Sequence, residues 1–248
     1  MFSRIIWIAV ALVPALPAAD ICSPTELQGP YAMHLSGTTT ITGSPTQVVG
    51  VARVVLSGDG VLSGYSSVSF NGLLLGNPVS GTYEVKQDCS LAFSLQDDSG
   101  AFQHFGGTVK PGGDRAEFRQ TDPGTKETGI IRRTFDACQV VDFQGEYSVS
   151  LSGVSVPMEN AGPTTPVSSA GRIQADGAGK FTVKDTLDRA DSTTPLATVG
   201  TYEIDSDCTI RLELTPIKLR GFLVLNGKEI LAIQTDAGET VAARFVKR

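Results

Sequence analysis

The sequence is poor in the residue types that carry most enzyme chemistry. It has two histidines, four cysteines and a single tryptophan among 248 residues. No Cys-X-X-Cys pair is present to seed a zinc site. Neither a Gly-X-Ser-X-Gly elbow, a phosphate loop nor a dinucleotide fingerprint occurs, so the commonest hydrolase and nucleotide-binding mechanisms lack their parts. Basic residues are outnumbered 20 to 26, which makes the chain a poor partner for a nucleic-acid backbone. Asn-X-Ser/Thr acceptors are absent, and with them the mark of a glycosylated secretory protein. No window of a dozen residues carries a convincing helical period. At 41% hydrophobic and 19% charged, the chain is too apolar for disorder and too polar for a bundle of membrane helices.

The one long apolar run lies at the N-terminus. Ser3 and Arg4 precede an apolar stretch from Ile5 to Leu16, and Pro17-Ala18-Ala19 supplies small residues for cleavage. The run is too short to span a bilayer as a stable helix, so residues 1–19 read as a signal peptide and the mature chain carries no membrane span. Cleavage removes Trp7 and leaves 19 basic residues against 26 acidic, a charge of −7. Ile21 before Cys22 is too large for lipoprotein processing. An exported bacterial protein, periplasmic or secreted, is the expectation.

The remainder is a tandem duplication. CSPTELQGPYAMHLSG, from Cys22 to Gly37, recurs as CQVVDFQGEYSVSLSG, from Cys138 to Gly153. GTYEVKQDCSLAFSL, from Gly81 to Leu95, recurs as GTYEIDSDCTIRLEL, from Gly200 to Leu214. Gln120-Thr121-Asp122 and Glu127-Thr128 return as Gln234-Thr235-Asp236 and Glu239-Thr240. The offset changes only between these blocks, where loops belong. The units are therefore residues 20–137 and 138–248, each an ordinary domain size able to bury its own core. The short connection predicts that the two bodies touch.

Within each unit the pattern is that of short strands. Val48 to Leu56, Val61 to Phe70, Thr82 to Val85, Leu91 to Leu95, Phe102 to Val109 and Arg115 to Thr121 are rich in β-branched or aromatic residues. Ile210-Arg211-Leu212-Glu213-Leu214 alternates cleanly, as a half-buried strand does. Ser57-Gly58-Asp59-Gly60, Asp176-Gly177-Ala178-Gly179 and Asn226-Gly227 supply the positive φ of tight turns. About eight strands per unit joined by hairpins make an all-β antiparallel meander, which must close or fold over to hide its edges. Two tandem eight-stranded barrels are expected, with β-sandwiches as the alternative.

Gly29-Pro30-Tyr31 and Gly145-Glu146-Tyr147 open the first strand of each unit, and Arg132 and Arg244 sit in the last. This layout resembles the calycin superfamily, the lipocalin and avidin type of meander barrel, with tyrosine where that family has the tryptophan of Gly-X-Trp. The resemblance implies that Tyr31 under Arg132 and Tyr147 under Arg244 close one end of each barrel. It also implies a small apolar ligand held inside.

Four cysteines, one pair per repeat, read as disulfides in an exported chain. Cys22–Cys89 and Cys138–Cys208 is the pairing that respects the duplication. Each would be worth roughly 4 kcal/mol on a chain-entropy estimate.

The polar candidates are sparse. His34 and His104 both lie in the first unit, and Ser150 stands at the place of His34 in the second. They suggest catalysis or metal binding only if they converge. Asp97-Asp98 and the trio Asp185, Asp188, Asp191 read as loop carboxylates. The Ser/Thr/Pro-rich stretches Thr38 to Gln47 and Glu159 to Ser169 occupy the same place in each unit and read as loops over one barrel mouth.

Three classes of function survive this reading. First is an exported binding module for a small apolar ligand, held by Val49, Val51, Leu62, Val68, Phe93, Phe102 and Phe118. Second is a structural or adhesive envelope protein that uses outer faces and loops. Third is a hydrolase or isomerase resting only on His34, His104 and scattered carboxylates. No cofactor or metal is called for by any motif.

Overall fold

The computed structural model describes residues 22–41, 43–98, 100–157, 163–184 and 197–248. The leader 1–19, the trio Asp185, Asp188, Asp191 and the stretch 159–162 lie outside the described residues. Sixteen strands form two closed antiparallel barrels of eight. In the first barrel these are β1 (Gln28–Ile41), β2 (Ser44–Ser57), β3 (Val61–Phe70), β4 (Leu73–Val85), β5 (Ser90–Asp97), β6 (Phe102–Val109), β7 (Arg115–Gln120) and β8 (Thr128–Arg133). The second comprises β9 (Gln144–Ser155), β10 (Thr165–Asp176), β11 (Lys180–Val183), β12 (Val199–Ile204), β13 (Thr209–Leu214), β14 (Ile217–Val224), β15 (Glu229–Gln234) and β16 (Glu239–Lys247). Each is an up-and-down meander whose last strand pairs with its first. Closure removes every sheet edge except where a hairpin outruns its neighbour.

Two hairpins do so in barrel 1. β1 and β2 stay paired to Ile41↔Ser44, whereas β8 leaves β1 at Ser36↔Thr128. Thr38 to Gln47 is thus a projecting ribbon and not a loop; Lys126 N–H donates to the Thr38 carbonyl (2.7 Å) and Thr40 Oγ1 to that of Gly124 (2.8 Å). Likewise β4 starts at Leu73, well before Thr82, but β5 joins it only at Val79↔Asp97. Pro78, which has no N–H to give, falls where β4 has a partner on one side alone.

Both disulfides form within units, Cys22–Cys89 and Cys138–Cys208. They tie a short 3-10 turn before each first strand (Pro24–Glu26 and Val140–Asp142) across the barrel end. Leu27 and Phe143 follow those turns and are fully buried as plugs. Tyr31 and Tyr147 lie beside them, their hydroxyls donating to the carbonyls of Gly113 and Gly227 (both 2.7 Å).

The basic partners differ from those expected. Arg133 lies over the Tyr31 ring (4.7 Å) and Lys247 over that of Tyr147 (5.8 Å). The ladder explains this: Tyr31 is paired directly with Arg133, and Tyr147 with Lys247. Arg132 is one residue out of phase, and side chains alternate across a sheet, so it points outward. Arg244 is paired with Ser150 and also faces out.

Outward, these arginines meet the other barrel. Glu229 of β15 is 4% exposed, accepts a hydrogen bond from Arg244 Nε (2.5 Å) and forms an ion pair with Arg132 Nε (3.5 Å). Around that triad lies an apolar seam: Ala32, Val49 and Val51 from barrel 1 pack on Phe222, Val224, Leu231, Ile233 and Ala242 from barrel 2. Strand β15 is consequently buried on both faces, and its Ile230-Leu231-Ala232-Ile233 is a continuous apolar run without alternation. Polar contacts edge the seam. Ser69 Oγ donates to the Glu239 carbonyl (2.8 Å), Gly72 N–H to Thr240 Oγ1 (2.7 Å), and Thr134 Oγ1 to the Leu223 carbonyl (2.5 Å). Gly72, with φ of +82°, brings backbone against backbone there: a Cβ would sit 2.4 Å from Gly238 Cα. The two barrels form one packed body.

Candidate functional site

Strand alternation sorts the seven expected ligand residues into four environments. Leu62, Phe93 and Phe118 turn into barrel 1 and are buried. Phe93, Phe105 and Phe118 make a three-ring cluster, centroids 4.6 to 5.4 Å apart, one pair stacked and two edge-on. These rings fill the middle of the barrel. Val68 lines a cavity above them. Val49 and Val51, by contrast, face the inter-barrel seam, because β2 is covered on both sides and its inward set is Val48, Gly50, Ala52 and Val54. Phe102 is 58% exposed on the outer face of β6; Phe105, three residues on, is the inward ring.

The cavity at the mouth of barrel 1 has a volume of about 60 Å³ and an apolar lining of Leu35, Val48, Val68, Phe70, Val79 and Leu95. Ser66, Asn77, Asp97, Gln103 and Glu127 add polar groups. That is room for a few waters or a small ligand head. The ribbon of Thr38 to Gln47 stands at its rim. In barrel 2 the described residues enclose a cavity of about 20 Å³, walled by Leu151, Leu212, Leu214, Ile217, Phe245 and other apolar side chains.

Glu127 sets the character of the first cavity. It is 1% exposed, and neither carboxylate oxygen has a donor at hydrogen-bonding geometry, the Thr39 hydroxyl acting on it only from outside that geometry. Burial pushes its pKa up to about 7, with the Thr39 hydroxyl opposing and the Asp122 charge adding to the rise. Gln120 donates its backbone N–H to the Glu127 carbonyl (2.9 Å), and its side-chain Oε1 is a third buried acceptor without a donor. Its amide nitrogen is used on Asp122 (3.0 Å). Buried acceptors left without donors are rare and costly.

Barrel 2 carries the same pair with a different outcome. Glu239, the repeat counterpart of Glu127, takes a hydrogen bond from Ser155 Oγ (3.1 Å) at the seam. Gln234 donates to Asp236 (2.9 Å), as Gln120 does to Asp122.

The histidines do not converge. His104 is exposed on β6, where Asp122 accepts from its backbone N–H and meets its ring Nδ1, both at 2.8 Å. His34 faces outward from β1, paired with Val51 and Ile130 of the seam, and its Nε2 is buried without a partner. Burial, helped by the charge of Arg244, lowers its pKa to about 4, so it is neutral at pH 7. Among the described residues no group of three or more His, Cys, Asp or Glu is placed to hold a metal. No helix there is long and apolar enough to cross a membrane.

A second concavity, about 360 Å³, opens between the barrels against Arg53, Tyr65, Asp207, Arg220 and Phe222. Arg220 stacks over Tyr65 at 5.7 Å.

The residues that sequence reasoning passed over are Glu127 and Gln120. Their signal was present: both recur in the second unit, in or beside strands and not in turns. No family model matches the chain, and no curated protein matches it. Among solved structures, transferrin binding protein B from serogroup B Neisseria meningitidis is similar at 7% identity and a TM-score of 0.36, covering 88% of this chain and 75% of that one. A Nitrosomonas europaea protein described as an AttH candidate is similar at 9% identity and a TM-score of 0.24, covering 95% and 99%.

Proposed function

We propose that this is an exported two-barrel binding module in which barrel 1 takes a small ligand at its mouth and barrel 2 is a filled support. The observation that carries this reading is the mouth cavity itself, apolar on its walls and ending on an unpartnered buried carboxylate. A few convergent polar groups in an apolar recess is the usual form of a ligand site. The cavity is small and the Phe93–Phe105–Phe118 cluster fills the core on the same inward face of β5 as Leu95, so the ligand is short: a head and a few carbons inside, the rest at the rim. Export is supported by the leader pattern and by the two disulfides, which persist in oxidising compartments.

The test is a panel of short fatty acids, alcohols, amines and terpenoids, read by calorimetry against the intact protein and against Val68→Trp, which fills the cavity. Binding that is present in the intact protein and abolished by Val68→Trp is the expected result. Equal binding by the variant, or none below millimolar by either, overturns the reading.

An adhesive role draws on one separate observation. Leu73, Leu74 and Leu75 are 63, 37 and 41% exposed on the part of β4 that outruns β5, an apolar projection a soluble monomer rarely leaves bare. Loss of surface attachment by Leu73→Glu/Leu75→Glu, with ligand binding unchanged, would favour that role.

A further inference from the structure

We infer that the ligand head at the mouth of barrel 1 is a primary ammonium, with Glu127 as its counter-ion and a short apolar tail along Leu35, Val68 and Leu95. The inference rests on barrel 1 being the binding barrel, and it names the ligand class.

Every unmet group at the site is an acceptor. Glu127 Oε1 and Oε2 and Gln120 Oε1 are buried without donors, and their residues are neighbours across β7 and the chain entering β8. Alternation in β7 turns Gln120 inward with Ala116 and Phe118. Three acceptors call for a group that brings donors and no lone pairs, and –NH₃⁺ has three N–H bonds and no acceptor. A hydroxyl brings one donor, and a carboxylate brings none and is repelled.

Charge points the same way. Among the described residues no lysine or arginine lines the cavity; Asp97 does, and Asp122 stands near enough to raise Glu127 further. Charge-assisted hydrogen bonds in such a half-enclosed site are about twice as strong as neutral ones. Size agrees as well, since about 60 Å³ admits an ammonium and its first carbons. In barrel 2 the counterpart Glu239 has Ser155 as a donor and the cavity is apolar, so the inference is confined to barrel 1.

The titratable groups facing Glu127 are Asp97 from β5 and Asp122 from the turn after β7, the latter paired with His104. Against the effect of burial, hydrogen bonds from His104 and Gln120 hold the Asp122 carboxyl below its usual range, so affinity follows ionisation of Glu127 and rises as pH passes 7.

The experiment is calorimetry of the intact, disulfide-bonded protein with n-butylammonium, n-butanol and n-butyrate at pH 5.5 and 8. Butylammonium is expected to bind at pH 8 at least tenfold tighter than butanol, to weaken at least tenfold at pH 5.5, and to lose binding in Glu127→Gln. Butanol or butyrate binding as well as butylammonium would overturn the ammonium assignment while leaving barrel 1 a binding barrel. Silence from all three, and from the wider panel, would overturn both. If Glu127→Gln does not fold, the ¹³C carboxyl resonance of Glu127 decides: ligand must lower its titration midpoint by at least one pH unit, and an unmoved midpoint sinks the assignment.

Discussion

Barrel 1 and barrel 2 descend from one repeat and share strand count, disulfide and tyrosine-plugged end, yet they have divided the work of their surfaces. Barrel 2 gives the outer faces of β14 and β15 to the seam as large apolar side chains, Phe222, Val224, Leu231 and Ile233. Barrel 1 meets them mostly with smaller ones, Ala32, Val49 and Val51, with the partly buried Ile130 beside them. Inside, the order reverses: among the described residues barrel 2 encloses about 20 Å³ lined by apolar side chains, whereas barrel 1 keeps about 60 Å³ with Glu127 in its lining. The same Gln–Glu pair is therefore structural in one copy and unsatisfied in the other. Duplication relaxes a constraint, since one copy supplies stability while the other retains a costly group.

The comparison breaks most sharply on dissection. Cutting near Ala137 exposes four large apolar side chains on barrel 2 but one, Ile130, beside an alanine and two valines on barrel 1. We expect isolated barrel 1 to run as a monomer on gel filtration and isolated barrel 2 to self-associate and bind a hydrophobic dye. Two equally soluble, dye-silent halves would mean that the seam contributes little.

Disulfide removal is next in size. The closed loops are alike, with sequence separations of 67 and 70, so Cys22→Ala/Cys89→Ala and Cys138→Ala/Cys208→Ala should each cost roughly 4 kcal/mol by urea unfolding. A markedly larger loss for one pair would show that the barrels differ in how far they rely on their plugs.

Glu229→Leu leaves Arg132 and Arg244 facing each other across a buried seam. Removing one member of such a group costs about 3–5 kcal/mol in other proteins, and the partial exposure of Arg244 points to the lower end here. Combining it with Arg132→Leu should recover part of that loss. Additive losses would deny the triad its coupling.

A subtler contrast lies in pH. Glu127 retains its proton up to about 7 in the folded state and only to its ordinary 4.5 when unfolded. Its contribution to stability is complete below pH 4.5 and is lost as pH rises through 7. His34 is depressed to about 4 from 6.5, so its contribution is complete above 6.5 and is lost as pH falls through 4. Between 4.5 and 6.5 the two slopes oppose, and they largely cancel in the intact protein. Glu127→Gln should then gain stability with rising pH across that window, and His34→Asn should lose it, each by roughly 2 kcal/mol in urea melts. Parallel profiles for both variants would refute the assignments.

What was legible in the sequence, and what was not, follows from the same alternation. Clean alternation such as Ile210 to Leu214, the Gly-rich turns and the duplicated cysteines carried the barrels and their disulfides. Period-two reasoning separates two faces but names neither, and it cannot place Val49 and Val51 because β2 is buried on both sides. The one-residue error at Arg132, where Arg133 was the ring partner, is the same ambiguity at a strand end. Phe102 and Phe105 sit on opposite faces of one strand, and composition alone does not choose between them. The ribbon of Thr38 to Gln47 read as a loop because serine, threonine and proline are frequent there, while its strand pairing depends on β2. Glu127 was passed over because solvated carboxylates are the rule, and only packing shows that this one has no water-facing side.

The central claim is that barrel 1 holds a buried carboxylate without a partner at its mouth. Titration of the Glu127 side-chain carboxyl by ¹³C NMR in the ligand-free protein, assigned with Glu127→Gln, tests it most directly. The account predicts a midpoint near 7; a midpoint at the ordinary 4 to 5 would show Glu127 to be solvated or hydrogen-bonded, and would contradict it.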